Sequence, residues 1–129
     1  NGGGTLAGFI GEQVALKVMG GKWLNTYDYD IMLDNGKTVD VKTKQTSVPP
    51  LSHYECSVAK LNTKQKCDMY AFVRVKKDFS TAWFLGSKDK IEYFDNAVFK
   101  KKGDKDGDNN FVIRSDCYNM AITELDQPN

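Results

Sequence analysis

The chain has 129 residues, the size of one folded domain, and its 40% apolar and 27% charged residues match an ordinary water-soluble globular protein. A net charge of +1 excludes attraction of the whole surface to a polyanion, so any affinity for nucleic acid has to come from local patches. No apolar run approaches the roughly 20 residues of a membrane span and no signal peptide is visible, while Cys56, Cys67 and Cys117, odd in number and without C-x-x-C spacing, read as buried reduced thiols of a cytoplasmic protein.

In chain order, Asn1 to Gly4 reads as a flexible start without methionine, which suggests a trimmed terminus. Gly2, Gly4 and Gly8 do not make a phosphate loop, because no strand precedes them and the G-x-G-x-x-G spacing is missing. From the N-cap Thr5, LAGFIGEQVALKVM puts Leu6, Ile10, Val14 and Val18 on one helical stripe that ends at Gly20-Gly21. Glu12 falls off that stripe, among Gly8, Ala15 and Leu16, where small residues let a helix sit close to a sheet.

The stretch Asn25 to Gln45 predicts a β-hairpin. Tyr27, Tyr29, Ile31 and Leu33 alternate with Asp28, Asp30, Met32 and Asp34, and after Asn35-Gly36 the alternation resumes with Val39, Val41 and Thr43 against Asp40, Lys42 and Lys44. Asn-Gly suits a tight primed turn, which needs positive φ at both central residues. Residues two apart on a strand point the same way, so Asp40 and Lys42 share a face and Asp30 projects beside them.

Val48-Pro49-Pro50 then breaks the chain. Ser52 to Val58 reads as a short third strand followed by a helical piece from Ala59 to Lys66, with one helix over Ser52 to Lys66 as the alternative. His53, the one histidine, has no metal-spaced companion and reads as structural. Cys67 to Val75 predicts a central strand, Lys76 to Phe79 a turn, Ser80 to Gly86 another strand, and Ile91 to Lys101 a second long helix. Asp104, Asp106 and Asp108 are spaced like the start of a calcium loop, but glycine and the closing acid are misplaced, so a solvated turn is expected. Two short strands around Ser115-Asp116 finish the chain. The whole predicts a single α/β or α+β domain over 1–129 with a mixed central β-sheet flanked by helices.

A Glu in a leading amphipathic helix, an Asp in an apolar strand and Asp-Val-Lys in the next strand give Glu12, Asp30, Asp40 and Lys42. This order and spacing resembles the PD-(D/E)XK nuclease superfamily, the restriction-endonuclease-like fold that includes Holliday junction resolvases and many phage and repair nucleases. The match runs most directly from Gly8 to Lys44, about a third of the chain. It departs from the pattern where Tyr29, rather than proline, precedes Asp30.

The resemblance implies a metal-dependent DNA endonuclease of the restriction-endonuclease-like fold. Asp30, Asp40 and the Val41 carbonyl offer hard oxygen ligands to Mg²⁺ or Mn²⁺, Glu12 completes the set, and Lys42 orients or deprotonates the nucleophile. Among the cations Lys42, Lys44, Lys60, Lys64 and Lys66, the resemblance favours Lys44, Lys60 and the nearby Gln65 as nucleic-acid contacts. Lys100-Lys101-Lys102 reads as a solvated run. A homodimer or a phage-encoded component of a larger assembly suits so small a nuclease domain. The competing class is a non-catalytic DNA-binding or structural subunit on the same fold.

Overall fold

The computed structural model describes residues 5–106 and 111–128. Helix α1 spans Leu6–Met19. Its start is fixed by the Thr5 side chain, which accepts from the Gly8 amide, and its end by Gly20 at φ +79, whose N–H donates to the Leu16 carbonyl. Strands β1 (Lys22–Trp23), β2 (Ile31–Met32), β3 (Thr38–Thr46), β5 (Met69–Lys76) and β6 (Ala82–Asp89) form a mixed sheet in the order β1-β2-β3-β5-β6. β3 and β5 run parallel, and the remaining neighbours are antiparallel.

Between β3 and β5 the chain crosses over to build β4 (Glu55–Ala59) and a 3₁₀ turn at Lys60–Lys64. β4 pairs with β10 (Cys117–Ala121), which also pairs with β7 (Val98–Lys100), making a second sheet. Helix α2 (Lys90–Asn96) follows β6, and a small ribbon of β8 (Lys105–Asp106) and β9 (Phe111–Val112) follows β7. The architecture is α+β.

The central sheet has a core on each side. On one, Ala15 of α1 packs with Ile31, Val39, Val41, Ala71, Val73 and Val75. On the other, Tyr70, Phe72 and Leu85 meet Cys56, Val58, Met120 and Tyr93 of the second layer. Covering on both sides explains why β5 reads as a continuous apolar run and why it lies inside the sheet. All three cysteines are buried and free, and among the described residues no helix is long and apolar enough to cross a membrane.

Several expectations need correction. The buried residues of α1 are Gly8, Gly11, Glu12 and Ala15, whereas Leu6 and Val18 of the supposed apolar stripe are exposed. Close approach of the helix backbone to β3 decides this: a Cβ on Gly11 would lie 1.8 Å from Thr43 Oγ1, so small residues must face the sheet. The hairpin connection is also different. Gly36 has φ +87 but Asn35 does not have positive φ, and Gly36 N–H donates to Leu33 C=O while Leu33 N–H donates to Lys37 C=O. That is a three-residue loop closed by a glycine bulge, not the primed two-residue turn.

The arm from Tyr27 to Asp30 is a loop rather than strand, and β1, which the periodicity did not predict, supplies the outer pairing of β2. The helical piece expected from Ala59 to Lys66 is a 3₁₀ turn over Lys60–Lys64, and of the two readings of Ser52 to Lys66 the strand holds, as β4. The long second helix stops at Asn96. Asp89 caps its start, but Ala97 is extended and the β-favouring Val98 and Phe99 join β10 instead. Asp108 of the supposed calcium loop lies outside the described residues.

Candidate functional site

β2 and β3 bring the acidic residues together through their register. Ile31 faces Val39 and Met32 faces Thr38, so one further step sets Asp30 opposite Asp40. Both carboxylates belong to fully buried residues, at 0% exposure. Because β2 ends at Ile31, the β3 backbone beyond Val39 lacks a strand partner on that side. The Asp30 carboxylate takes the partner's place: its Oδ2 accepts the Val41 N–H at 2.9 Å. N–H and C=O of one strand residue point to the same side, so the Val41 carbonyl opens toward the same gap.

The backbone fixes Asp30 firmly. Its N–H donates to Val39 C=O, and the amides of Leu24 and Asn25 both donate to its carbonyl, a bulge with Asn25 at φ +49. Thr26 and Tyr29 close the loop on themselves, Thr26 Oγ1 donating to Tyr29 C=O at 2.8 Å and accepting the Tyr29 N–H at 3.1 Å.

On β3 the alternation holds. Val39 and Val41 enter the α1 core, and Asp40 and Lys42 project from the opposite face toward Tyr70. Lys42 Nζ lies 2.7 Å from Asp40 Oδ2, donates to Gln65 Oε1 at 2.9 Å, and sits 5.7 Å from the centroid of the Tyr70 ring. Gln65 Nε2 donates to Tyr27 C=O at 3.0 Å and to Asp40 Oδ1 at 3.4 Å. The Lys90 ammonium, at the start of α2, donates to the Gln65 carbonyl.

Burial pushes the Asp40 carboxyl above its ordinary range; the Lys42 ammonium opposes that rise and the Asp30 charge adds to it. Cys67 belongs to the same neighbourhood. Its thiol is pushed up to about 11, chiefly by burial, with the Asp40 charge adding and the Lys90 and Lys42 charges opposing.

The structure therefore joins Asp30, Asp40, Lys42 and Gln65. Glu12 comes from elsewhere. It is buried on α1, and its Oε1 accepts the Trp23 indole N–H at 2.8 Å. Trp23 pairs with Ile31, whose side chain enters the α1 core, so Glu12 approaches from the helix side of the sheet. Among the described residues, no group of three or more acid, histidine or cysteine side chains converges as a cation cage. Of the expected set, Asp30 and Asp40 meet through the β2–β3 register, and Glu12 is tied through one carboxylate oxygen to the Trp23 indole.

Lys44 is exposed near the end of β3, and Lys60 is exposed at the start of the 3₁₀ turn. Gln65, expected as a nucleic-acid contact, is 3% exposed and has both ends of its amide engaged by the protein. Trp23 and Lys90, which sequence reasoning did not single out, support the site from two sides. The Trp23 signal was available, an indole eleven positions after the acid in α1, but a spacing across a helix and a turn has no fixed geometry to flag it.

No protein-family model and no curated protein sequence matches the chain.

Proposed function

We propose that this chain is a metal-dependent deoxyribonuclease that hydrolyses phosphodiester bonds within DNA, as its resemblance to the PD-(D/E)XK nucleases implies. The observation that carries the reading is the pairing of Asp30 opposite Asp40 with the Lys42 ammonium 2.7 Å from Asp40 Oδ2. Two buried carboxylates across one strand gap, with the Val41 carbonyl turned toward it, make a hard-oxygen donor set. Mg²⁺ is commonly held by one or two carboxylates plus waters and substrate phosphate, so the pair fits without Glu12. Mg²⁺ or Mn²⁺ bound there would supply Lewis-acid charge and a more acidic water.

The residues have distinct tasks. Asp30 and Asp40 hold charge at a fixed separation, because Asp30 directly precedes β2 and its N–H is bonded to Val39 C=O of β3. Lys42 is clamped between Asp40 and Gln65, so its remaining N–H is directed rather than swinging, and it aligns the attacking water and the scissile phosphate. Water oxygen bonds to phosphorus as the bond from phosphorus to the 3′ oxygen breaks, leaving a 5′-phosphate and a 3′-hydroxyl, with the water's protons passing to solvent and the leaving oxygen. No covalent enzyme intermediate forms.

A second reading is favoured by one observation: Asp30 already satisfies the Val41 amide, and Asp40 already pairs with Lys42. That is also how a non-catalytic DNA-binding or structural subunit would keep its fold. A cleavage panel of duplex, single-stranded, flap and four-way-junction DNA with Mg²⁺ or Mn²⁺ separates the two. Cutting that disappears in EDTA and in Lys42→Ala supports the nuclease, and intact DNA throughout supports the subunit. Gel filtration over a concentration series reports whether the chain dimerises.

A further inference from the structure

Tyr70 and Tyr93 are both fully buried, at 0% exposure, and stand in one aromatic cluster with ring centroids 5.7 Å apart. Their hydroxyls differ. Tyr93 Oη donates to Tyr118 C=O at 2.6 Å, whereas Tyr70 Oη has no hydrogen-bond partner of ordinary geometry among the described residues. A ring that only had to fill the core would be better served by phenylalanine, because a desolvated hydroxyl without a partner costs stability. Such groups are rare in folded proteins, and sites of chemistry are one place where they are kept.

The position of Tyr70 gives its hydroxyl something to serve. In the parallel pairing of β3 with β5, Tyr70 lies opposite Asp40, so Asp40 has Asp30 on its β2 side and Tyr70 on its β5 side. The Lys42 ammonium sits 5.7 Å from the centroid of the Tyr70 ring. Phe72 and Phe94, with centroids 6.2 and 5.9 Å away, hold that ring together with Tyr93, so the hydroxyl has a fixed place. Burial raises the Tyr70 phenol above its ordinary range, and the nearby Cys67 and Asp40 groups add to the rise. The Cys67 thiol that touches the hydroxyl is only a weak donor and acceptor, so the phenol keeps both an O–H to give and lone pairs to receive with.

We infer that Tyr70 is a positioning residue for a divalent cation at Asp30 and Asp40: its hydroxyl exchanges hydrogen bonds with the water shell of that cation and fixes those waters beside Lys42. The inference rests on the nuclease reading for the cation itself. Mg²⁺ gives up its waters reluctantly, so a neutral phenol acts on the shell rather than on the ion. Groups in that outer layer orient what the ligands hold. Tyr70 acts from beneath the site without touching DNA, which agrees with its complete burial.

The test compares the full chain as wild type, Tyr70→Phe and Tyr93→Phe. Mn²⁺ binding is read from the electron paramagnetic resonance of the free ion, and stability from melts in EDTA. Tyr70→Phe melts at or above the wild-type temperature, because it loses an unsatisfied group, yet binds Mn²⁺ about tenfold to a hundredfold more weakly, the usual range for an outer-layer partner. Tyr93→Phe shows the reverse. It melts lower, having lost the bond to Tyr118 C=O, and keeps the wild-type affinity for Mn²⁺.

Tyr70→Phe with wild-type Mn²⁺ affinity overturns the inference, and so does Tyr70→Phe that melts below wild type in EDTA, since its hydroxyl is then bonded within the protein. Wild type that takes up no Mn²⁺ removes the cation and the inference with it. Digestion of DNA over a Mn²⁺ series keeps the two readings apart. Mn²⁺ binding that depends on Tyr70 without cutting removes the nuclease and leaves the positioning role, whereas cutting by Tyr70→Phe equal to wild type at every Mn²⁺ concentration removes the positioning role alone. Circular dichroism spectra verify that both variants, each smaller by one oxygen, are folded.

Discussion

The Lys42 ammonium donates to Gln65 Oε1 at 2.9 Å across 23 positions of chain, and the other end of the same amide reaches Asp40 Oδ1 at 3.4 Å. Lys42 and Asp40 are two apart on β3, so Gln65 bridges the ion pair from a different segment and fixes both heads at once. A lysine of four rotatable methylenes does not hold one position by itself.

Loss of that clamp is expected to appear in turnover. Gln65→Ala should lower the kcat of metal-dependent DNA cleavage about tenfold to a hundredfold, the scale of misplacing a reacting group by about an ångström. KM should move less, and Lys42→Ala should abolish cutting while metal-free DNA binding persists. Equal turnover of Gln65→Ala and wild type, in a preparation that cuts DNA, refutes the clamp.

The contact of Gly11 with Thr43 sets the height of α1 above the sheet, and with it the reach of Glu12. A Cβ at Gly11 meets Thr43 Oγ1 at 1.8 Å and Thr43 Cβ and Cγ2 at 2.9 Å, so Gly11→Ala must lift the helix. The expected loss is about 1–3 kcal/mol or more, as for other overpacked cores, and several degrees of Tm. The Thr43 hydroxyl is buried without a hydrogen-bond partner among the described residues. Thr43→Val should therefore stabilise the protein, by about 1 kcal/mol, by removing a desolvated polar group. A melting series in which Gly11→Ala equals wild type would show that the helix and sheet are not in firm contact.

These contacts explain what the sequence made legible. Strand alternation at Val39 to Lys44 is a local property, so it placed Asp40 and Lys42 on a common face correctly, and the apolar run from Cys67 to Val75 marked the inner strand, which spans Met69–Lys76. The α1 stripe held in its middle, where Ile10 and Val14 pack against the core, and failed at its ends, Leu6 and Val18, because close packing on Thr43 gives the most buried positions to glycine and alanine. The second helix failed because α2 is stopped by a strand partner, β10, that lies 17 residues or more further on in the chain, beyond any local window. Glu12 was placed near the site by order alone. Its hydrogen bond to Trp23 depends on a tertiary meeting of helix and strand that no spacing rule encodes.

Thiol reactivity checks the burial of the second layer. Burial pushes the Cys56 thiol up to about 12 and that of Cys67 up to about 11. Since the thiolate is the nucleophile, the native protein at pH 8 should react with Ellman's reagent far more slowly than free cysteine, and faster as pH rises toward those values. In denaturant all three thiols should react at once. Rapid labelling of native Cys56 or Cys67 at pH 8 would place them at the surface.

The last expectation concerns the cost of Asp40 itself. Burial raises its carboxyl above the ordinary 3.8, and Asp30 across the strand pair adds to that while Lys42 only partly offsets it. The folded state thus holds its proton more tightly than the unfolded chain. The stability this contributes is complete below the ordinary carboxylate value and is lost as pH rises through the raised folded value. At neutral pH in EDTA, Asp40→Asn, which carries no charge to desolvate, should melt higher than wild type, by about 0.5–2 kcal/mol, as where a functional group is kept at the expense of stability. The difference should shrink as pH falls toward the carboxylate range. Adding Mg²⁺ should raise the wild-type Tm by more than that of Asp40→Asn, because a cation bound preferentially to the folded state stabilises it in proportion to ln(1 + [L]/Kd). Melts of both proteins at several pH values, with and without the ion, provide the measurement. If the two coincide under every condition, Asp40 is an ion-pair partner of Lys42 and nothing more, and the non-catalytic reading of this fold takes over.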